Sequence, residues 1–212
     1  MCSSDLGILR LDYTFNNLLV YEFDGKEYKN EKDLYERKWL RGNEGIYWKD
    51  TTLQNAGYTY DYFAPQILED GDVSFRDGEI APDGPGYRAL LLYQEALPYS
   101  SALKILEWAK QGLPVVLVNG VTETVHRNTD VTHGRAASKT PFLDGRDEDL
   151  AAVIAELKQL SNVRTVDRPA DALDALQDLG VVPRARFAEQ NAKVLTTLRQ
   201  DGGMQQSQMA AG

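Results

Sequence analysis

Three groups of polar residues follow apolar runs in this chain, at the positions where an open α/β sheet would offer them to a ligand. They are Asp61 and Tyr62, Gln94 and Glu95, and the stretch from Asn119 to Glu123. In such sheets the ligand crevice lies outside the carboxyl ends of the strands. That rule makes Tyr60, Asp61, Gln94 and Asn119 the candidate substrate-binding residues. Their amide, phenol and carboxylate groups suit hydrogen bonding to hydroxyls. The plainer account is that they are caps and solvated loop residues. The aromatic set Tyr47, Trp48, Tyr58, Tyr60, Tyr62 and Phe63 carries the same two readings. Ring faces beside carboxylates suit sugars, whereas the period-two spacing of Tyr58, Tyr60 and Tyr62 suits packing on one face of a strand.

Covalent chemistry finds less support. A nucleophilic hydrolase or amidotransferase on this kind of sheet needs Ser or Cys on a tight turn after a central strand, with His close by. The turn after Val118 reads Asn119-Gly120-Val121-Thr122, so no catalytic residue is assigned. An independent hydrolase would have to rely on Glu95, Glu123 or Asp61. His126 and His133 lie in one long patternless stretch without a cysteine nearby, which does not match a zinc site, so no metal or other cofactor is expected. The acidic run Asp147, Glu148, Asp149 reads as favourable charge at a helix start. Gly84-Pro85-Gly86 precedes a strand instead of opening a helix, so it is no phosphate loop.

The elements that would position these residues are clearest in residues 86–120. Apolar runs at 89–92 and 115–118 flank a helical pattern that starts at Ser100 or Ser101 and stops at Gly112. Continuous apolar runs mark strands buried on both faces, as in parallel sheets covered by helices. The helix presents Leu103, Leu106 and Ala109, flanked by Ala102, Ile105 and Trp108, as its apolar stripe. Further strands are expected at 18–23, 58–63, 73–75 and 163–166. A short helix is expected from Asn30, one through Leu53, one after Asp147 and one after Pro169. The alternation predicts an α/β fold, an open and mainly parallel sheet with helices on both faces.

The rest of the chain sets bounds. Its 212 residues suffice for one core with an attached lobe, and 42% apolar with 26% charged residues is ordinary for a globular protein. A formal charge of −9 without a Lys/Arg cluster argues against nucleic acid. No apolar run approaches the roughly 20 residues of a membrane helix, so no membrane partner is expected. Residues 1–6 resemble the conceptual translation of a common short-read sequencing adapter and are set aside as non-native. Cys2, the only cysteine, then carries no redox information. The expected organisation is an α/β domain at 7–188 with an excursion at 24–49, then a truncated β domain and tail at 189–212. Lys193 to Arg199 reads as one strand of a hairpin whose partner is missing, and the final residues as a frayed tail.

Three phrases in order, GYTYDYFAPQ at 57–66, APDGPGYRAL at 81–90 and GLPVV at 112–116, resemble glycoside hydrolase family 106 and its α-L-rhamnosidase-like relatives. The likeness spans roughly residues 45–199. It implies a fragment of a large multidomain enzyme, secreted or periplasmic, that removes terminal sugars such as L-rhamnose from polysaccharides. It also implies a catalytic barrel upstream and β-sandwich domains downstream as partners, with carbohydrate as ligand. The α/β portion is similar to the accessory domain of some β-galactosidases and to a glutamine-amidotransferase-like or flavodoxin-like sheet without its nucleophile. No segment matches the family's barrel with its glutamate pair or its calcium-linked site. An inverting pair would stand about 6.5–9.5 Å apart, and none is identifiable, so the fragment is expected to be inactive alone. The alternative is a stand-alone carbohydrate- or small-molecule-binding domain.

Overall fold

The computed structural model describes residues 2–11, 48–124, 130–141, 143–185, 194–201 and 204–211. In chain order, β1 (Cys2–Ser3) and β2 (Leu6–Leu9) precede α1 (Thr52–Asn55) and β3 (Tyr60–Phe63). A 3₁₀ turn (Pro65–Glu69) and the small hairpin β4 (Phe75–Arg76) and β5 (Glu79–Ile80) follow. The centre comprises β6 (Ala89–Leu92), α2 (Tyr99–Lys110) and β7 (Val115–Val118). Next come the hairpin β8 (Thr122–Thr124) and β9 (Asp130–Thr132), then α3 (Asp147–Leu157), β10 (Val163–Val166) and α4 (Ala172–Asp178). A long hairpin, β11 (Val194–Asp201) and β12 (Met204–Ala211), completes the described chain.

Five strands form the main sheet in the order β10-β7-β6-β2-β3. Every neighbouring pair is parallel. The fold is therefore α/β, as the alternation of elements predicts. The order reverses beside β2: the chain goes from β2 to β3 on one side, then returns to place β6 on the other. That reversal is the topological switch point where such sheets bind ligands.

Helices cover both faces. On one face, α2 contributes Ala102, Ile105, Leu106 and Ala109, and α3 contributes Leu150, Val153, Ile154 and Leu157. They pack on Leu9, Phe63, Leu90, Leu92, Val115 and Leu117. On the other face, Leu53 of α1 and Ala172, Leu173, Ala175 and Leu176 of α4 pack on Leu6, Ile8, Ala89, Leu91, Val116 and Val118. Alternate residues of one strand thus serve opposite cores, which is why the runs at 89–92 and 115–118 are apolar throughout. Gly7 supplies no side chain to its face, and a Cβ there would overlap the Phe63 ring.

Several expectations are corrected. Asp5 and Leu6, set aside with the first six residues, are wholly buried; Leu6 opens the interior strand β2 and Asp5 directly precedes it. β2 itself was not expected. Leu103 is 42% exposed, because the buried stripe of α2 runs through 102, 105, 106 and 109 and leaves position 103 on its flank. α2 begins at Tyr99 behind Pro98, and the hydroxyls of Ser100 and Ser101 bond Glu69 at 2.9 and 2.6 Å. The patternless stretch after Gly120 contains the β8–β9 hairpin. β11 has its partner within the chain: Met204–Ala211 pairs with it antiparallel over eight residues, and β1 pairs with its other side. The expected strand at 18–23, the helix from Asn30, most of the excursion at 24–49, Tyr47 and His126 lie outside the described residues.

Candidate functional site: the carboxyl edge at the switch point

Residues that follow β2 and β6, together with the β8–β9 hairpin, gather polar groups around one carboxylate. Arg10 and Leu11 follow β2, Tyr93 and Gln94 follow β6, and Glu123 lies in the middle of β8. His133 comes directly after β9. Glu123 is 1% exposed, as buried as any apolar core residue. Its Oε2 accepts hydrogen bonds from Arg10 Nε at 3.1 Å and from the Tyr93 hydroxyl. Its Oε1 accepts from Gln94 Nε2 at 2.9 Å and from His133 Nε2 at 2.7 Å. Gln94 Oε1 in turn accepts the Leu11 backbone N–H at 2.6 Å. Trp48 closes one side, its ring centroid 5.7 Å from that of Tyr93, and His133 stands edge-on to Tyr93 at 5.4 Å.

Burial alone would push the Glu123 carboxyl up. The hydrogen bonds from His133, Tyr93 and Gln94 and the Arg10 charge outweigh it and hold the group at about 2. Burial first, and then the Glu123 charge, push the Tyr93 hydroxyl well above its ordinary range, so it remains a donor. The cluster is thus a buried ion pair whose acceptor sites are filled. A carboxyl ionised down to about 2 cannot serve as a general acid near neutrality, and as a base it is weak, since proton transfer is most effective with a group near the working pH. Gln94 and His133 are the members that reach solvent, the His133 side chain being 15% exposed.

A second set of contacts anchors the loop beside this cluster. Asn119 Nδ2 donates to Asp167 Oδ1 at 2.8 Å, and Asn119 Oδ1 accepts the Ala136 N–H at 3.0 Å. Glu95 accepts from Lys139 Nζ at 2.8 Å and from the Gly134 N–H at 2.9 Å, and these contacts lower its pKa. Gly120 adopts φ 67°, and a Cβ there would stand 3.0 Å from the Asp167 carbonyl. The tight turn after β7 is therefore present, with Asn119 where a nucleophile would stand.

The expected residues divide into two pairs. Gln94 and Asn119 come to one edge, and the adjacent residues Ala137 and Ala136 bond the Gln94 carbonyl and the Asn119 side chain respectively. Tyr60 and Asp61 lie at the other end of the sheet. Tyr60 pairs with Leu6 and Asp61 with Gly7, so Asp61 falls four residues short of Leu11, about 13 Å along the strand. Asp61 accepts from the Tyr87 hydroxyl at 3.2 Å, ahead of β6. The crevice expected to join Asp61 to Gln94 and Asn119 does not form, because β3 begins at Tyr60 and Asp61 is its second residue. Tyr60 packs edge-on to Tyr62 at 5.6 Å, and both lie against the α1–α4 core, which is the packing reading of the aromatic set.

The sequence alone does not point to Arg10 or Tyr93, and it presents His133 only as a possible metal ligand. The available signal was an arginine placed directly after an apolar run, Ile8-Leu9-Arg10, together with an acid inside a strand-like threonine pair, Thr122-Glu123-Thr124. Among the described residues, no group of three or more His, Cys, Asp or Glu side chains is placed to hold a metal ion. Nor is any helix among them long and apolar enough to cross a membrane. Comparison with protein-family models, curated proteins and solved structures gives no significant match.

Proposed function

We propose that the chain is an accessory α/β domain of a multidomain glycoside hydrolase that acts on α-L-rhamnosides or related polysaccharide sugars, and that it is inactive alone. The observation that supports this reading is the filled carboxyl edge. Where this architecture would use a nucleophile and a base, it has Asn119 on the turn and an ionised Glu123 enclosed by Arg10, Tyr93, Gln94 and His133. Such an edge suits a scaffold that joins neighbouring domains. The finer fold we assign is the glutamine-amidotransferase-like or flavodoxin-like sheet, which the strand order and its reversal beside β2 support. The partners on this reading are a catalytic barrel upstream, a β-sandwich downstream in the same parent chain, and carbohydrate. Long-read sequencing of the source gene tests it: a barrel-encoding segment with its glutamate pair directly upstream is expected, and a complete reading frame without one would overturn it.

A second reading, a carbohydrate-binding domain without catalysis, is favoured by the convergence of Gln94 and Asn119 with the solvent-facing His133. It expects saturable heat on titration with L-rhamnose, weakened in Asn119→Ala. A flat titration rejects it.

A further inference from the structure

We propose that Asn119 is a self-modification site gated by the loop it anchors: its side-chain amide persists while residues 134–137 are seated on the sheet edge, and deamidates when they lift. Asn119 is the only asparagine in the sequence that precedes a glycine. Without a Cβ, glycine leaves its backbone nitrogen unshielded, so that nitrogen can reach the carbonyl carbon of the preceding side chain. The Gly120 nitrogen then bonds to Asn119 Cγ, the Cγ–Nδ2 bond breaks, and ammonia leaves with the proton that the nitrogen gives up. Water opens the resulting succinimide at either carbonyl, giving aspartate or isoaspartate. Asn119 is half-buried and Gly120 exposed, so water reaches the ring.

In the seated loop every reacting group is tied. The Gly120 N–H donates to the Gly134 carbonyl at 3.0 Å, Asn119 Nδ2 donates to Asp167 Oδ1 at 2.8 Å, and Asn119 Oδ1 accepts the Ala136 N–H at 3.0 Å. Attack requires the Gly120 nitrogen to lose its proton and the side chain to turn toward it, so these bonds must break first. The rate is then set by how often the loop opens, as it is for amide hydrogen exchange. Glycine is held at 120 by the fold, since φ is 67° and a Cβ would stand 3.0 Å from the Asp167 carbonyl. The products weaken the same latch. Aspartate at 119 lacks the Nδ2 donor and sets a carboxylate against that of Asp167. Isoaspartate adds a methylene to the main chain beside the N–H that bonds the Val166 carbonyl at 2.8 Å. Loss of ammonia makes the step one-way, so each opening that leads to reaction leaves the loop more weakly seated.

Peptide mapping by mass spectrometry, after incubation of the full chain in mildly alkaline buffer, tests the proposal. Asn162, which precedes the β-branched Val163, serves as the internal reference. The folded wild type is expected to keep the Asn119 amide long after the chain unfolded in guanidinium chloride has lost it. Asp167→Ala changes an exposed side chain and is expected to leave the far-ultraviolet spectrum unchanged. It is expected to speed loss of the amide in the folded chain roughly tenfold, the weight of one hydrogen bond to a carboxylate. Independently, Asn119→Asp, which reproduces one product, is expected to raise hydrogen exchange at the Gly120 and Ala136 amides while that of β6 and β7 stays the same. A folded wild type that deamidates as fast as the unfolded chain overturns the proposal. So does an unfolded chain that keeps the amide, an Asp167→Ala rate equal to the wild type, or unchanged exchange at both amides in Asn119→Asp.

Discussion

Glu123 shows how a single residue can be costly and still retained. Removing a carboxylate from water costs several kcal/mol, and attraction to one arginine seldom repays it. Here Tyr93, Gln94 and His133 fill the remaining acceptor sites. Glu123→Gln keeps the shape but removes the carboxylate charge that the buried Arg10 faces. We expect a loss of about 3–5 kcal/mol in urea unfolding, partly recovered when Arg10→Met is added. A loss under about 1 kcal/mol would show the pair to be dispensable. The pH dependence follows from the same contacts. The folded carboxyl is held at about 2, below its ordinary 4.5. Its contribution, roughly 3 kcal/mol, is fully present above the ordinary value and is lost as pH falls from there toward the folded one. Asp5 plays a comparable part at the opposite edge, accepting Thr59 N–H at 3.0 Å, Thr59 Oγ1 at 2.9 Å and Arg184 N–H at 3.0 Å, with Arg88 also bonded to it. Asp5→Ala is expected to lower the unfolding free energy by about 3 kcal/mol or more.

At the scale of elements, β2 carries the structure because it pairs with both β3 and β6 at the switch point. Gly7 lets the Phe63 ring lie across it, so Gly7→Ala should cost about 1–3 kcal/mol in thermal or urea unfolding. Leu143 is the opposite case: a fully exposed leucine with φ 54°. Leu143→Gly relieves that left-handed backbone and should leave stability unchanged or raise it by up to about 1 kcal/mol. The strands at 89–92 and 115–118 and the helix between them were legible because burial on two faces leaves a local mark, an unbroken apolar run. β2 was not, since its run is interrupted by Gly7 and begins among residues that resemble an adapter. The exposure of Leu103 was also hidden, because a stripe defined by spacing does not say which flank meets the sheet. The Arg10–Glu123 pair spans 113 positions, and nothing local to either residue announces the other.

For the whole molecule, the parallel sheet brings strand ends that are far apart in sequence to one edge. Gln94 and Asn119 could be placed there from strand order alone. Asp61 could not, because its place depends on where β3 begins, which an aromatic run from 58 to 63 leaves open. The same sheet explains why the turn after β7 is present without a nucleophile: Asn119 bonds Asp167 and Ala136 and so holds the loop in place. The purified chain is accordingly expected to release no nitrophenol from aryl α-L-rhamnosides above the buffer rate, with wild type and Glu123→Gln indistinguishable. The most direct test of the proposal that this edge is closed and non-catalytic is a carbon-13 NMR titration of the Glu123 carboxyl in the folded chain. A midpoint near 2 is expected. A midpoint between about 5 and 7, the range of a working acid or base, would contradict it.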